Sequence, residues 1–247
     1  MAMLGTFILL FGWFGFNAAS TFAATDRQFA LVAANTGIAA AFGTVAAMLL
    51  VMFTGARKPD PGMMVNGMLG GLVAITAPCA FVSPWAAAVI GSAAGIIVPF
   101  AIGFVERRGI DDPVGAISVH GVGGLFGVLC VGLFANGSYG FGWNFLDDPW
   151  SKEHGVTGLF YGRTGQLGAQ LLGIVVLCTV IFGVAYAFFS IQNKLTKGGI
   201  RSSEADEING LDIPEMGVTA YPEFVMDTAA GDVGIDLTDK ARQTVSV

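Results

Sequence analysis

Four residues near the start of the chain share one face of a predicted helix. Leu9, Trp13, Phe16 and Ser20 are spaced at i, i+4, i+7 and i+11, which brings side chains together on an α-helix. An aromatic ring face attracts a cation by about 0.5–2 kcal/mol, and a hydroxyl oxygen accepts an N–H bond. This face has the chemistry of a site for a nitrogen cation, whereas ordinary apolar packing is the interpretation that spacing alone favours.

A single histidine lies in the apolar run 114–134. His120 follows "GAISV" and precedes "GVGGLFG", so we expect it to be buried among apolar side chains. Ionisable side chains in such runs are rare and mark ion or proton pathways. An apolar surrounding favours a neutral imidazole, which both donates and accepts a hydrogen bond. A packing histidine that bonds a neighbouring carbonyl is the alternative.

Two aspartates and a proline stand before this run. Asp111 and Asp112 directly precede Pro113, an order typical of a helix start with aspartate at the N-cap and proline in the first turn. We predict that Asp111 and Asp112 cap the following helix. A cation site formed by their carboxylates is the alternative.

Enzymatic and metal chemistry have little support in the residue pattern. Ser118 and His120 are two positions apart, about 200° around a helix, so they cannot pair locally as nucleophile and base. Cys79, Cys130 and Cys178 lie in apolar runs without CxxC spacing, which predicts small core residues rather than disulfides or a zinc site. We expect no enzyme activity, no metal and no cofactor.

The composition is that of a membrane protein. Hydrophobic residues make up 54% of the 247 positions and charged residues only 12%, far from soluble usage. The net charge of −6 argues against a nucleic-acid partner. Six stretches are long enough to cross about 30 Å of hydrocarbon: 3–23, 29–54, 63–82, 85–105, 114–134 and 164–190. The predicted fold is an all-α, polytopic bundle of membrane helices.

The distribution of charged residues predicts the orientation of the helices in the membrane, and the spacing of small residues predicts where the helices pack closely. Ten of the 18 acidic residues follow position 203, so residues 1–190 are predicted to be the transmembrane domain and 191–247 a cytoplasmic tail. Most lysines and arginines fall on one side of the predicted helices, which places that side and both termini in the cytoplasm. Small residues repeat every four positions at Gly67/Gly71, Ala87/Gly91/Gly95 and Gly123/Gly127, which predicts close helix crossings.

Three segments resemble the Amt/Mep/Rh ammonium transporter family. They are "LGTFILLFGWFGFNAAS", "DDPVGAISVHGVGGLFGVLCVGLF" and "GLDIPEMGVTAYPEF", in the family's order. The resemblance covers residues 1 to about 224 and implies the last six of the eleven transmembrane helices of a typical member. It also implies a multi-pass protein of the cell membrane, with ammonium, ammonia or methylammonium as substrate and a homotrimer as the assembly.

The resemblance implies roles for individual residues. Phe16 matches a gate phenylalanine, Ser20 the serine of an outer recruitment site and His120 the second of two paired pore histidines. Trp13 is assigned to the substrate-binding face and Leu9 to the pore wall. In the tail, the resemblance gives regulatory roles to Gly210, Leu211 and Asp212, which would govern docking of a PII-type signalling protein.

The resemblance also implies an incomplete pore. The family's first paired histidine belongs to earlier helices, and this sequence has only His120 and His154. Inverted-repeat transporters place the pathway between two repeats, so one half does not enclose it. We expect ammonium transport that needs a second half, with an ammonium-binding sensor or regulatory remnant without flux as the alternative.

Overall fold

The computed structural model describes residues 2–25, 27–55, 57–139 and 153–220. Its principal α-helices are α1 Ala2–Ala18, α2 Arg27–Thr54, α3 Pro61–Thr76, α4 Pro84–Arg107, α5 Gly123–Phe134, α6 Gly165–Val176, α7 Phe182–Leu195 and α8 Glu204–Asn209. A 3₁₀ turn, Ala19–Thr21, follows α1, and a π-helical turn, Ile117–Val122, leads into α5. Extended pairing in these ranges is limited to an isolated bridge between Asn136 and Thr157. The predicted all-α fold class is confirmed.

Five helical segments are long and apolar enough to cross a membrane. They are Ala2–Thr21, Arg27–Thr54, Pro84–Arg107, Ile117–Phe134 and Gly165–Leu195. These segments correspond to five of the six predicted spans, and the last one continues past the predicted end at 190. The chain is therefore a multi-pass membrane protein.

The third predicted span, 63–82, is wrong over its last six residues, 77–82, because α3 ends at Thr76. Pro78 has no backbone N–H and cannot donate to the carbonyl of Ala74, so the helix stops before it. Turns follow instead, with the N–H of Phe81 donating to the oxygen of Pro78 at 2.8 Å. A run of apolar residues thus contains a 16-residue helix and a buried loop.

A fully buried amide secures this loop. Asn35 of α2 is 0% exposed, and its Nδ2 donates to the carbonyl oxygens of Cys79 and Val82, both at 2.9 Å. Non-helical backbone at membrane depth is tolerated only where protein satisfies its polar groups. Asn35 meets this requirement and fixes the end of α3 against α2.

The core lies where α2, α3 and α4 cross at glycines. A Cβ added at Gly71 or at Gly91 would collide with the carbonyl oxygen of Ala39, and one at Gly95 would collide with that of Gly43. In lipid, helices associate through close van der Waals contact rather than hydrophobic burial. The predicted close crossings at the small-residue repeats are confirmed.

Helix α1 lies at the margin of this core. Within Ala2–Ala18 the buried residues are Thr6, Asn17 and Ala18. Two hydrogen bonds between side chains attach the second half of the helix to its neighbours: Asn17 Nδ2 donates to Thr36 Oγ1 at 3.0 Å, and Trp13 Nε1 donates to Thr76 Oγ1 at 2.8 Å. Polar bonds therefore hold α1 where apolar burial is small.

The chain divides into two compact units, 1–181 and 182–247. The first unit contains α1 to α6, and Gly132 of α5 packs against Leu167 of α6. The described part of the second unit contains α7 and α8. Cys79 and Cys130 are buried as predicted, whereas Cys178 is exposed because the described residues leave its face of the last membrane segment uncovered.

We predict that Gly91→Ala lowers the free energy of unfolding by about 1–3 kcal/mol, because the new methyl group would push α4 away from the backbone of α2. Thermal unfolding in detergent measures the change. Gly5→Ala is the matched control, since a Cβ at Gly5 meets nothing within 4 Å. Equal stability of the two variants would contradict the close crossing.

Candidate functional site

A cavity of about 700 Å³ lies between α1, the end of α3 and the start of α5. Its walls include Leu9, Trp13, Phe16, Val73, Thr76 and His120. The structure thus brings together four of the residues selected from the sequence, Leu9, Trp13 and Phe16 on α1 and His120 in the π-helical turn. Its walls are mostly apolar, so a charged solute inside would lose water without full replacement.

A second cavity of about 200 Å³ adjoins the first one. Ser20 lines it together with Thr21 and Asn17, and Phe16, Thr76 and Ala77 line both cavities. Ser20, the fifth residue selected from the sequence, therefore lies on the other side of Phe16 from His120. The hydroxyl of Ser20, the ring of Phe16 and the imidazole of His120 therefore follow one another along the two adjoining cavities.

His120 differs from its predicted environment. We expected a buried imidazole, but the side chain is exposed, and no described residue forms a hydrogen bond with its ring. It stands in the π-helical turn Ile117–Val122, whereas its neighbours Ser118 and Val119 point into the protein and are 0% and 1% exposed. The prediction of burial was wrong because the described elements pack on one side of this turn only.

The start of the fifth membrane helix also differs from the prediction. Pro113 lies in a turn closed by a 3.0 Å bond from the N–H of Gly115 to the oxygen of Asp112. Gly115 has φ of +71°, a left-handed conformation that no helix continues through. The helix therefore begins after Gly115 rather than at Pro113, contrary to the prediction.

Asp112 nevertheless bonds the first turn of this helix. Its carboxylate oxygens accept from the N–H of Ile117 at 3.0 and 3.2 Å, and the residue is 7% exposed. A carboxylate near a helix start stabilises unpaired N–H groups and the positive end of the helix dipole. Asp111 is exposed and stands one residue before this contact. The bond of Asp112 sets the position from which His120 projects.

Trp13 is oriented from both sides of its ring system. The indole Nε1–H donates to Thr76 at 2.8 Å, while Phe16 packs edge-on with ring centroids 6.0 Å apart and an interplanar angle of 75°. An edge-to-face pair of this kind contributes about 0.5–1.5 kcal/mol beyond burial. The side chain of Trp13 is therefore fixed while it still forms part of the wall of the larger cavity.

Ser20 is arranged as a hydrogen-bond acceptor. Its hydroxyl donates to the carbonyl oxygen of Phe16 at 2.7 Å, so its single proton is engaged and its lone pairs remain. The side chain is exposed at the smaller cavity. A solute with N–H groups finds an acceptor here.

Sequence reasoning missed Thr76 and the pair Asn17 and Thr36. Each bonds a residue far along the chain, as in the contact between Trp13 and Thr76. Periodicity reports which residues share a helix face but not which helix faces them. The short distance from Thr76 to Pro78 signals a helix end, and no local pattern signals the indole partner.

The tail has its own local geometry. Gly210 ends α8 with φ of +102°, Leu211 is 42% exposed, and Asp212 Oδ2 accepts from the N–H of Ala220 at 2.9 Å. Arg201 makes a bidentate contact with Glu207 at 2.7 and 2.8 Å. The hydrogen bond and the positive charge of Arg201 hold the pKa of Glu207 below its ordinary value. Residues 221–247 of the predicted tail lie outside the described residues.

The described residues contain no group of three or more histidine, cysteine, aspartate or glutamate side chains that could hold a metal ion. The two cavities offer ring faces, a hydroxyl, an imidazole and hydrocarbon instead. This set of groups suits a small nitrogen cation. The ring of Phe16 and the hydroxyl of Ser20 supply π and lone-pair contacts at the smaller cavity, and the imidazole of His120 is a proton-exchanging group at the larger one.

Comparison with known proteins gives one family. The model of the Ammonium Transporter Family matches residues 1–221. Ammonium transporter Amt2 of Archaeoglobus fulgidus is 47% identical over 224 residues, which are 91% of this chain and 46% of the relative. Ammonium transporter Amt1 of Haloferax mediterranei is 36% identical over 237 residues, which are 91% of this chain and 41% of the relative. The chain therefore spans less than half the length of these relatives.

Solved structures agree with this result. A protein described as a sensor Amt protein superimposes with a TM-score of 0.73 at 38% identity, covering 87% of this chain and 48% of that structure. Saccharomyces cerevisiae Mep2 gives 0.73 at 29% identity, covering 83% of this chain and 44% of that structure. The resemblance read from the sequence is confirmed by both kinds of comparison.

We predict that Asp112→Ala lowers the free energy of unfolding by about 0.5–2 kcal/mol, because the N–H of Ile117 loses its acceptor. Asp112→Asn keeps one oxygen and should lose less. Thermal unfolding in detergent compares the two. An alanine variant as stable as the asparagine variant would remove the capping role from Asp112.

A second prediction concerns the tail. Because the pKa of Glu207 is lowered, the contact with Arg201 stabilises the folded tail above the ordinary glutamate pKa of about 4.3 and is lost as pH falls through the lower value. Arg201→Gln should move the carboxyl titration midpoint of Glu207 upward, as read by ¹³C NMR. Lys197→Gln, which leaves the bidentate contact in place, is the control. An unmoved midpoint in Arg201→Gln would contradict the assignment.

Proposed function

This chain belongs to the ammonium transporter family, and from that premise we propose that it forms one wall of a pathway for ammonium across the cell membrane. The observation that supports this most strongly is the mostly apolar cavity on which Trp13, Phe16 and His120 meet. Its membership in a family of transporters rather than enzymes agrees with the predicted lack of enzyme activity. The remaining steps assign a task to each wall residue.

Recruitment takes place at the smaller cavity. An ammonium ion that leaves water receives an acceptor from the Ser20 hydroxyl, whose proton is already donated to Phe16. The ring faces of Phe16 and Trp13 supply cation–π attraction, about 2 kcal/mol or more once water is excluded. Phe16 lines both cavities, which suits it to separate the recruitment site from the inner section.

Deprotonation takes place beyond Phe16. A bare charge among apolar side chains costs several kcal/mol, so the ion is better carried onward as neutral ammonia. The imidazole of His120 is the titratable group of the larger cavity; it accepts the proton and passes it on. Leu9 and Val73 line the section that ammonia crosses. Sodium and potassium have no proton to give, so this step excludes them.

The pathway needs a second wall. His120, Phe16 and Ser20 are exposed on this chain, and a conduction path bordered by lipid would not hold a desolvated solute. A complementary five-helix segment, from the same polypeptide or a second one, closes the cavity and supplies the partner histidine that the family resemblance implies. This chain then corresponds to the last six of eleven transmembrane helices.

The assembly and orientation follow the same family pattern. Loops with the larger share of lysine and arginine face the cytoplasm, together with both ends of this chain, and three copies form a homotrimer. The turn at Gly210, Leu211 and Asp212 lies in the cytoplasmic tail and acts as a regulatory element for a PII-type protein. The second candidate function is an ammonium sensor without flux, which the similarity to a protein described as a sensor Amt protein favours.

We expect uptake of labelled methylammonium when the chain is coexpressed with the N-terminal half of a family relative. His120→Ala should then reduce uptake at least tenfold or let potassium compete, because the proton acceptor is gone. His154→Ala changes the other of the two histidines and is the matched control. An unaltered rate and selectivity in His120→Ala would remove His120 from the mechanism, and tail-dependent partner binding without any uptake would favour the sensor.

A further inference from the structure

We infer that Thr76 is the positioning residue for Trp13, and that its hydroxyl oxygen keeps the indole in the wall of the conduction path. This inference rests on the proposed function and deepens it. The contact joins α1 to the last residue of α3, with Trp13 Nε1 donating to Thr76 Oγ1 at 2.8 Å. Nothing in the local pattern around either residue requires it.

The hydroxyl of Thr76 is set up to accept. Its own proton is donated to the carbonyl oxygen of Leu72 at 2.7 Å, so the side chain is held against α3 with its lone pairs directed outward. A threonine in this state offers the indole a fixed acceptor. The indole N–H is a donor and the ring has no acceptor, so the hydrogen bond between the two side chains runs only from Trp13 to Thr76.

Helix α1 has few other constraints in this region. Phe16 and Leu9 are 63% and 48% exposed, and Asn17, one turn further on, is bonded to Thr36. The contacts of Trp13 and Asn17 together fix the rotation of α1 about its axis. Without the bond to Thr76, the Trp13 ring is free to turn into the larger cavity that it lines, and the edge-on contact with Phe16 changes with it.

Thr76 also stands at the boundary between the two cavities, since it lines both of them. A change in the orientation of Trp13 where the two cavities adjoin alters the ring face that an ion meets as it passes from Ser20 toward His120. The effect is on geometry, because Thr76 acts through the indole rather than on the solute. Substitution by valine keeps the shape of threonine and removes the oxygen.

The test combines a spectroscopic signature with transport. With ¹⁵N-tryptophan labelling, the four indole N–H resonances are recorded for the chain in lipid nanodiscs, and Trp13→Phe identifies that of Trp13. In Thr76→Val this resonance should move upfield and exchange faster with solvent, whereas Thr76→Ser should retain its position. Coexpressed with the complementary half, Thr76→Val should lower methylammonium uptake at low concentration about three- to tenfold, and Thr76→Ser should restore it.

Thr44→Val is the matched control. Thr44 makes the same bond within its helix, from Oγ1 to the oxygen of Ala40 at 2.8 Å, on a half-buried face of α2. It should leave the Trp13 resonance and uptake unchanged. An unmoved Trp13 resonance in Thr76→Val, or equal loss of uptake in Thr76→Ser and Thr76→Val, would overturn the positioning role. If the unsubstituted chain and its complementary half show no uptake together, the proposed function and the transport effect of Thr76 are refuted. The indole resonance of Trp13 would still test whether Thr76 accepts its hydrogen bond.

Discussion

Close backbone contact among α2, α3 and α4 is the constraint on which the positions of the cavity residues depend. Lipid gives packed helices no hydrophobic advantage over separate ones, so α3 and α4 approach the Ala39 carbonyl of α2 through Gly71 and Gly91. Helix α5 continues this packing, because a Cβ at Gly127 would lie 2.5 Å from the carbonyl oxygen of Ala74. That oxygen is the one that Pro78 leaves without a helical N–H.

The chemistry lies outside this tightly packed core. His120 precedes the Gly127 contact by about two turns, on the face of the π-helical turn that the described elements leave open. Helix α1 adds the aromatic ring faces, and hydrogen bonds from Trp13 and Asn17 hold this helix in place. Hydrogen bonds between membrane helices contribute on average about 0.6 kcal/mol each. Rigid crossings thus position the imidazole, while weaker contacts position the aromatic residues.

The sequence predicted the parts of this arrangement that depend on local pattern. Composition and run length gave the membrane helices, the i, i+4, i+7 spacing placed Leu9, Trp13 and Phe16 on one face, and the small-residue repeats marked the crossings. The end of α3 was signalled by Pro78, but the apolar residues after it made the predicted span too long. The late start of the fifth membrane helix depends on the left-handed conformation of Gly115, which an apolar run does not reveal. The exposure of His120 and the burial of Ser118 depend on what packs against each face of the turn, which is a tertiary property.

The most direct measurement is an experimental structure of the chain with its complementary half in a lipid nanodisc. We predict that the imidazole of His120 borders a continuous passage that runs past Phe16 to Ser20 and is closed to lipid, with a second polar group facing the ring. Lipid density packed against the imidazole, or a wall separating His120 from any passage, would contradict a role in ammonium conduction.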